Sequence, residues 1–522
     1  MLTVFRRFSS GSGSKAADAK LSIASAISLL SSDSPSLTAV PVSPLSKLTT
    51  PSIVSSLAHL GACRISPLVK SAPAIIATAS ASGSLAAPVF WGIKHSFFEH
   101  FCAGETLAEV KVTLGRLANR GVAGIVDYSV EAESGDLDVK SSAFDSTVRV
   151  LQSAVRTAAS FTQSIPASSV RNQASACLKI SALGPVSALE HVSNALMQVQ
   201  GSRASQALEE TPNVERVFFS SSPVPTSTTN VHGDGKGTSN GWNVHQLPVS
   251  FLDAGEVVFK NPGAFGLVQS DVEEWSTTMR RLDLICEVAF RDNVCLYIDA
   301  EQWRMQPAMA LLALEMMKKY NKSSGLIRST YQMYLKSGPS QLVNDLQSAK
   351  GHGFVLGAKL VRGAYKDSER VEAGNAGRAV AIWDNVEETH ASYDSGVAYA
   401  IQQIASAIEK GSRPPLDILV ATHNPRTVAK ALTLIDSLGL TSMVASRKAD
   451  IGFGQLLGMA DSISYTLADA HMPVAKYLPF GPVRQVMPYL TRRLQENSDI
   501  MGGTTREIGI LQKELRRRLF VA

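Results

Sequence analysis

Eight short apolar runs lie between residues 124 and 481, with helix-like segments separating most of them, and they restrict this 522-residue chain more than any other feature. They are GIVDYSV (124–130), CLKISAL (177–183), VCLYIDAE (294–301), GLIRSTYQ (325–332), VLGAKLVRGAY (355–365), DILVATHN (417–424), IGFGQLLGM (451–459) and AKYLPFG (475–481). Each has the length and the aliphatic or β-branched content of a buried strand. PAMALLALEMMKKYNK (307–322) represents the segments between them: its apolar residues share a broad face, and it closes on Lys and Asn as a helix end does. Eight strands alternating with helices predict a parallel β/α architecture. Polar residues stand toward the C-terminal ends of several runs, namely Lys179, Asp299, Glu301, Tyr331, Arg362 and His423. In a closed barrel such ends converge on one mouth, whereas an open sheet spreads them along an edge. No G-x-G-x-x-G follows the first strand, and GHGFVLG (351–357) precedes its strand with the wrong spacing. The expectation is therefore a (β/α)8 barrel.

Hydrophobic residues make up 45% of the chain, enough for a sizeable core, and the net charge of +5 is mild for this length. No basic stripe interleaved with aromatics is present, which argues against nucleic acid as a partner. The five cysteines (Cys63, Cys102, Cys177, Cys286, Cys295) include no C-x-x-C pair, so neither a disulfide framework nor a zinc site is expected. MLTVFRRFSSGSGSKAADAK, at the start, has four basic residues, many Ser and Ala, and no acid before Asp18. That is the pattern of a mitochondrial transit peptide. Residues 71–93 carry no charge and are long enough to span a bilayer, but Pro73, Pro88 and many Ser and Ala make a linker the better expectation. The expected organisation is a transit peptide over 1–30, a helical arm or linker over 31–95, and a barrel over 96–522. An insertion interrupts the barrel at about 200–275, marked by a Ser/Thr/Gly/Pro/Asn-dense stretch at 219–247. GDGKG within it lacks a preceding strand and a following helix, so it is not read as a phosphate loop.

A carboxylate at the end of an apolar strand, such as Asp299 in IDAE, must be paired or protonated, and Lys179 at another strand end is a candidate partner. Lys359 and Arg362 in KLVRGAYKDSE point to opposite faces of a regular strand, and the turn at Gly363-Ala364 offers backbone amides to a phosphate. In PYLTRRLQEN (488–497), Arg492 and Arg493 stand within ion-pair reach of Glu496 on a helix. Those ten residues fit both a solvated surface pair and a two-fork carboxylate clamp. The inventory contains no nucleophile–base pair and no metal cluster. It suits an anionic, phosphate-bearing cofactor that carries the chemistry itself.

The series HFCAGE (100–105), DYSVE (127–131), LKISAL, YIDAE, STYQMYLK (329–336), KLVRGAY, ATHN, FGQLLGM, KYLPFGPV and PYLTRRLQEN resembles the proline dehydrogenase family in its eukaryotic mitochondrial form. The resemblance covers about residues 95–515 in the family's order. It implies a distorted (β/α)8 TIM-like barrel with an N-terminal helical arm and a non-covalent FAD across the strand ends. It also implies oxidation of L-proline to Δ1-pyrroline-5-carboxylate, with electrons passed to ubiquinone at the matrix face of the mitochondrial inner membrane. By the same resemblance Arg492 and Arg493 hold the proline carboxylate, and Lys179 and Asp299 belong to the substrate pocket. Leu456 and Tyr477 pack on the pyrrolidine ring, with Tyr489 beside them on the arginine helix. Lys359 lies by the flavin ring, Val361, Arg362, Gly363, Ala364 and Tyr365 run along its chain, and Thr422 and His423 border it. Glu496 stands near the flavin or the arginine pair. Two positions depart from bacterial members: Lys359 replaces an arginine, and Ser329 replaces a glutamine, so Ser329 is given no firm cofactor role. Alternatives are a hydroxyproline dehydrogenase, which tends to carry a smaller residue at the Tyr477 position, and a Schiff-base barrel lyase using Lys179 or Lys359.

Overall fold

The computed structural model describes residues 21–32, 44–65, 87–129, 141–166, 173–210 and 250–520 except 376, 378 and 500, with isolated positions between 67 and 78; within helices, the side chains of 202–210 and 495–504 are outside that description. Each apolar run supplies one strand: β1 (Ala123–Tyr128), β2 (Ser175–Leu178), β3 (Leu296–Ile298), β4 (Ile327–Gln332), β5 (Leu356–Val361), β6 (Leu416–Ala421), β7 (Ile451–Leu456) and β8 (Val474–Phe480). All neighbours pair in parallel, and β8 pairs back onto β1 with Ile125 opposite Tyr477, so the sheet closes. Burial of both strand faces explains why the runs are continuously apolar rather than alternating. Ile125, Cys177, Tyr297 and Leu419 pack together inside the barrel. The outward side chains join the surrounding helices in the main core. Gly357 allows β5 to approach β4 closely, since a Cβ there would lie 2.2 Å from the Ile327 carbonyl oxygen.

Two strands stop earlier than the apolar runs suggest. β2 ends at Leu178 and the chain tightens into a 3-10 turn over Ile180–Ala182, so Lys179 is the first residue off the strand. β3 ends at Ile298, which makes Asp299 likewise the first residue beyond it. Two polar residues expected at the mouth face elsewhere. Alternation along β4 turns Thr330 and Gln332 toward the mouth and Tyr331 outward, where its hydroxyl donates to Asp345 at 2.8 Å. Glu301 lies three residues past its strand and folds under the β2 turn, accepting from the Ser181 amide at 3.1 Å and its hydroxyl at 2.6 Å.

The N-terminal arm is helical where it is described. Helix Ile23–Ser31 packs on helix Pro425–Ser437, and helix Thr50–Ala62 packs on the C-terminal helix Met501–Phe520. Side chains of that last helix tie the arm down. Arg506 donates to the carbonyls of Ser32 (3.1 Å) and Leu29 (2.9 Å), closing the orphan end of the first helix. Arg518 donates to the Leu45 carbonyl at 3.0 Å while its other edge is held by the fully buried Glu514. Of the 200–275 interval, residues 211–249 lie outside the described residues. The remainder is helical, including Phe251–Lys260, which packs on helix Gln306–Tyr320. Of the leader expected over 1–30, residues 1–20 lie outside the described residues, as does most of 66–86, while Ile23–Ser31 is the helix packed on Pro425–Ser437. Among the described residues, no helix is long and apolar enough to cross a membrane.

Candidate active site

The C-terminal ends of the strands open onto one cavity of about 1670 Å³. A usual small-molecule site has roughly 300–1,000 Å³, so this one has room for a large ligand together with a small one. The wall carries eleven Lys and Arg side chains against four Asp, a field that favours an anionic occupant.

The floor of the cavity is an ion-pair cluster assembled from five strands. Asp299, just past β3, accepts Lys359 of β5 on Oδ1 and Lys179, just past β2, on Oδ2 at 3.2 Å. Tyr477 of β8 donates its hydroxyl to Oδ2 at 2.6 Å, and the Cys177 thiol of β2 donates to Oδ1 at 3.0 Å. Asp127 of β1 is fully buried, faces the Lys179 ammonium at 3.5 Å and accepts the Ser129 hydroxyl. The two carboxylates are driven in opposite directions. Burial would raise Asp299, but Lys359 and Lys179 outweigh it and hold the carboxyl below the usual range. At Asp127 burial prevails over Lys179, and the neighbouring Asp299 charge adds to it, so the pKa rises. Lys359 is raised despite burial because Asp299 lies against it. An ammonium held protonated in this way is not an amine nucleophile, which counts against Schiff-base chemistry at Lys359. Asp127, Cys177 and Asp299 bring possible ligand atoms within 4.8 Å of one another. The two lysine ammonium groups already supply the cationic charge in that space.

Higher on the wall, Arg362 is fixed through all three nitrogens. It donates to the hydroxyls of Thr422 (2.7 Å) and Thr427 (3.0 Å) and to His390 Nδ1 (2.9 Å), and its guanidinium lies 4.3 Å from the Tyr393 ring centroid. His423 Nε2 accepts the Leu456 amide at 3.0 Å, so the ring proton sits on Nδ1. Burial, helped by the charges of Lys476 and Arg493, pushes this histidine down to about 3, and it stays neutral. Helix Met487–Asp499 crosses the mouth. Its Arg493 is only 7% exposed, with the guanidinium 4.9 Å from the Tyr489 ring centroid. Arg492 is half-buried and 6.0 Å from the Tyr365 ring centroid.

Fifteen of the sixteen residues named from the sequence line this cavity: Lys179, Asp299, Lys359, Val361, Arg362, Gly363, Ala364, Tyr365, Thr422, His423, Leu456, Tyr477, Tyr489, Arg492 and Arg493. Glu496 is on the arginine helix, but its side chain lies outside the described residues. Ser329 is buried away from the cavity wall. Sequence reasoning missed Gln332, the last residue of β4, whose buried Oε1 has no hydrogen-bond partner among the described residues while its Nε2 donates to the Glu301 carbonyl at 3.1 Å. Period-two alternation from Thr330 would have found it. It also missed Asp127, a carboxylate inside an apolar run, and Cys177.

The proline dehydrogenase family profile matches residues 110–506. The chain is 32% identical over 498 residues to proline dehydrogenase 1, mitochondrial, of Caenorhabditis elegans, covering 82% of this chain and 79% of that one. It is 42% identical over 243 residues to the Homo sapiens protein of the same name, covering 46% of this chain and 38% of that one. A hydroxyproline dehydrogenase of Xenopus laevis is 31% identical over 431 residues, again covering 82% and 79%. Among solved structures, proline utilization A from Bdellovibrio bacteriovorus superposes with a TM-score of 0.56 at 17% identity. That match covers 80% of this chain and 34% of the solved one, so the chain spans about a third of its length and shares its barrel.

Proposed function

The chain belongs to the proline dehydrogenase family, and from that premise we propose that it oxidises L-proline to Δ1-pyrroline-5-carboxylate with a non-covalent FAD in the barrel mouth. The single observation that carries this is the meeting, in one cavity, of the Arg492–Arg493 pair with Tyr477, Leu456 and the Asp299 cluster. Residues present on the wall fit a flavin nucleotide. The volume exceeds what an amino acid needs, the excess of cations suits a pyrophosphate, and the buried Gln332 Oε1 is an acceptor awaiting a donor. Lys359, the Val361–Tyr365 segment, Thr422, His423 and Gln332 are the residues that would hold it. When bound, FAD supplies a two-electron acceptor for the hydride that leaves proline C5.

Everything else falls to the chain. Arg492 and Arg493 take the substrate carboxylate as paired forks, the arrangement that gives a carboxylate both energy and orientation. Tyr477 and Leu456 pack on the pyrrolidine ring, and the Tyr477 hydroxyl is locked by its bond to Asp299. The ring nitrogen must enter the hydride step neutral, because its lone pair stabilises the cation formed at C5. Loss of one proton from the prolinium nitrogen and of the hydride from C5 gives the iminium, the protonated form of the imine. Asp299, held ionised by two ammonium groups, is too weak a base to retain the proton, which leaves through the open mouth. Its role is electrostatic: it keeps Lys179, Lys359 and Tyr477 in place around the reacting ring. His423 offers a neutral Nδ1–H donor without adding charge.

Mitochondrial relatives and the basic, acid-poor leader support a mitochondrial location. Delivery of electrons to ubiquinone at the matrix face of the inner membrane completes the proposed cycle. A hydroxyproline substrate is the second possibility, since the Xenopus relative matches almost as well as the nematode one. Tyr477 argues against it by filling the space beside the ring. An anaerobic absorbance spectrum tests both. Flavin bands that bleach with L-proline and not with hydroxyproline are expected; bleaching by hydroxyproline alone transfers the assignment, and a protein that takes up no FAD refutes it.

A further inference from the structure

A second cavity, of about 360 Å³, lies behind the substrate pocket, between helix Thr50–Ala62 of the arm, helix Leu107–Ala118 and the loop that follows β7. Its size falls at the small end of ligand sites. Arg116, in the last turn of one wall helix, and Arg120, just beyond it, both border the cavity. Their hydrogen-bond partners are neutral: Arg116 donates to the Thr113 hydroxyl at 2.8 Å and Arg120 to the Tyr465 hydroxyl at 3.0 Å. Among the described residues neither guanidinium has a carboxylate partner. Across the cavity Ser56, a residue only 7% exposed, adds a hydroxyl-bearing side chain to the wall. His59 stacks on His100 with ring centroids 4.5 Å apart and adds a polar floor.

Of the two acids that border the cavity, one is paired with a lysine and the other with a histidine. Asp461 bonds the fully buried Lys476 at 2.7 Å, and Glu99 bonds His95 at 2.7 Å. What remains is two guanidinium forks, hydroxyls and apolar surface from Leu48, Leu117 and Leu457. Such a wall recognises a compact anion, because planar forks bind carboxylate and phosphate oxygens in pairs. Burial and the charges of His59 and Lys476 depress His100 to about 4, so this ring adds no positive charge near neutral pH.

One wall of the cavity is shared with the substrate pocket. Leu457 and Gly458 face the second cavity, whereas Leu456, one residue earlier, faces the first. The segment between them is tightly held. Lys476 donates to the carbonyls of Leu456 (3.2 Å) and Met459, and His100 Nε2 meets the Gly458 carbonyl at 3.0 Å. Gly458 has φ +75°, and a Cβ there would lie 2.6 Å from the His100 carbonyl oxygen. The loop is thus a continuous, hydrogen-bonded connection between the two cavities.

We propose that the second cavity binds a small anion bearing a carboxylate or phosphate group, and that its occupancy alters substrate binding through the Leu456–Asp461 loop. The coupling rests on the proline assignment made above; the binding does not. The test uses thermal melts of the full-length holoenzyme in rising inorganic phosphate or succinate, with sodium chloride at matched ionic strength as reference. It then measures the KM for proline at saturating probe. A saturable rise in Tm with at least one probe is expected, together with a KM shift of about fivefold. The probe that acts identifies phosphate or carboxylate as the recognised group. The R116Q/R120Q variant should need at least about tenfold more probe while keeping its probe-free turnover. Ser55→Glu, which places a carboxylate in the wall, should lose the response and serves if the double variant does not fold. No saturable response to either probe, or an unchanged response in R116Q/R120Q, overturns the site. A Tm response with an unmoved KM overturns the coupling. Because the melts contain no proline, a failure of the substrate assignment appears separately, as absent turnover.

Discussion

Replacing Arg493 by methionine removes the more deeply buried of the two guanidinium groups on helix Met487–Asp499, and the two arginines should not contribute equally. Arg493 is 7% exposed, while Arg492 is half-buried. Two unit charges 4 Å apart interact by about 4 kcal/mol at the effective dielectric of a protein surface and by about 1 kcal/mol in bulk water. Arg493 stands nearer the first limit and Arg492 nearer the second. After the competing hydration of the substrate carboxylate, a charged hydrogen bond contributes roughly 1.5–3 kcal/mol. The Arg493→Met enzyme should therefore lose about 3 kcal/mol in kcat/KM, on the order of a hundredfold or more at 1.4 kcal/mol per decade. For Arg492→Met the loss should be about 1.5 kcal/mol, near tenfold. The assay is anaerobic flavin bleaching followed at rising proline, with the untreated flavin spectrum confirming an intact cofactor site. Added salt should weaken the Arg492 contribution more than that of Arg493, since the exposed charge is screened. Equal losses in the two variants, or proline affinity unchanged in Arg493→Met, would refute the burial argument.

Three further outcomes follow from particular contacts. Asp345 is buried against Tyr331, and burial pushes its carboxyl up to about 7; the folded protein thus holds a proton that the unfolded chain releases near pH 4, and stability falls as pH rises from about 4 to 7, by up to roughly 4 kcal/mol. Asp345→Asn lacks this slope, so its denaturation midpoint relative to wild type should improve between pH 5 and pH 8, and a constant gap would contradict the assignment. Tyr477→Ser should release the hydrogen bond to Asp299 and open space beside the ring, raising the hydroxyproline-to-proline ratio of kcat/KM by about tenfold; an unchanged ratio would remove Tyr477 from specificity. Glu514→Gln should leave Arg518 without its charged partner, cost about 1–3 kcal/mol and make the C-terminal helix sensitive to limited proteolysis, whereas wild-type protease resistance would show that the helix is held by apolar contacts alone.

The barrel was legible because parallel strands buried on both faces write themselves as continuous apolar runs, and all eight strands overlap those runs, β2 only at Cys177 and Leu178. Strand ends were less legible. LKISAL has the hydrophobicity of a strand throughout, yet the chain turns at Lys179, and that turn lets its ammonium reach Asp299, 120 residues further on. The Asp299 cluster joins residues as distant as Cys177 and Tyr477, a separation that local spacing does not report. The family motifs named most of its members without explaining why they meet. Gln332 escaped attention because interest in that motif fell on Ser329, although alternation along β4 turns Gln332 toward the mouth. Asp127 escaped because one acid in GIVDYSV looks like an interruption of the core, when it faces the Lys179 ammonium at 3.5 Å as part of the Asp299 cluster. A helical arm over the barrel was legible in the Ser- and Leu-rich N-terminal stretch, but not its docking site: helix Ile23–Ser31 packs on Pro425–Ser437, which lies too far along the chain for local composition to report.

The seam between β1 and β8 joins residues about 350 positions apart, Ala123 with Ala475 through Tyr128 with Phe480. On a ribosome adding about 5–20 residues per second, β1 would wait on the order of 20–70 s for its last neighbour to be made. Through that interval its unpaired backbone edge is a template for the wrong strand, from this chain or another. The arginines of helix Met487–Asp499 are made later still. Newly made chain therefore passes through a stage with seven strands complete, the edge of β1 still open and the proposed carboxylate clamp not yet made.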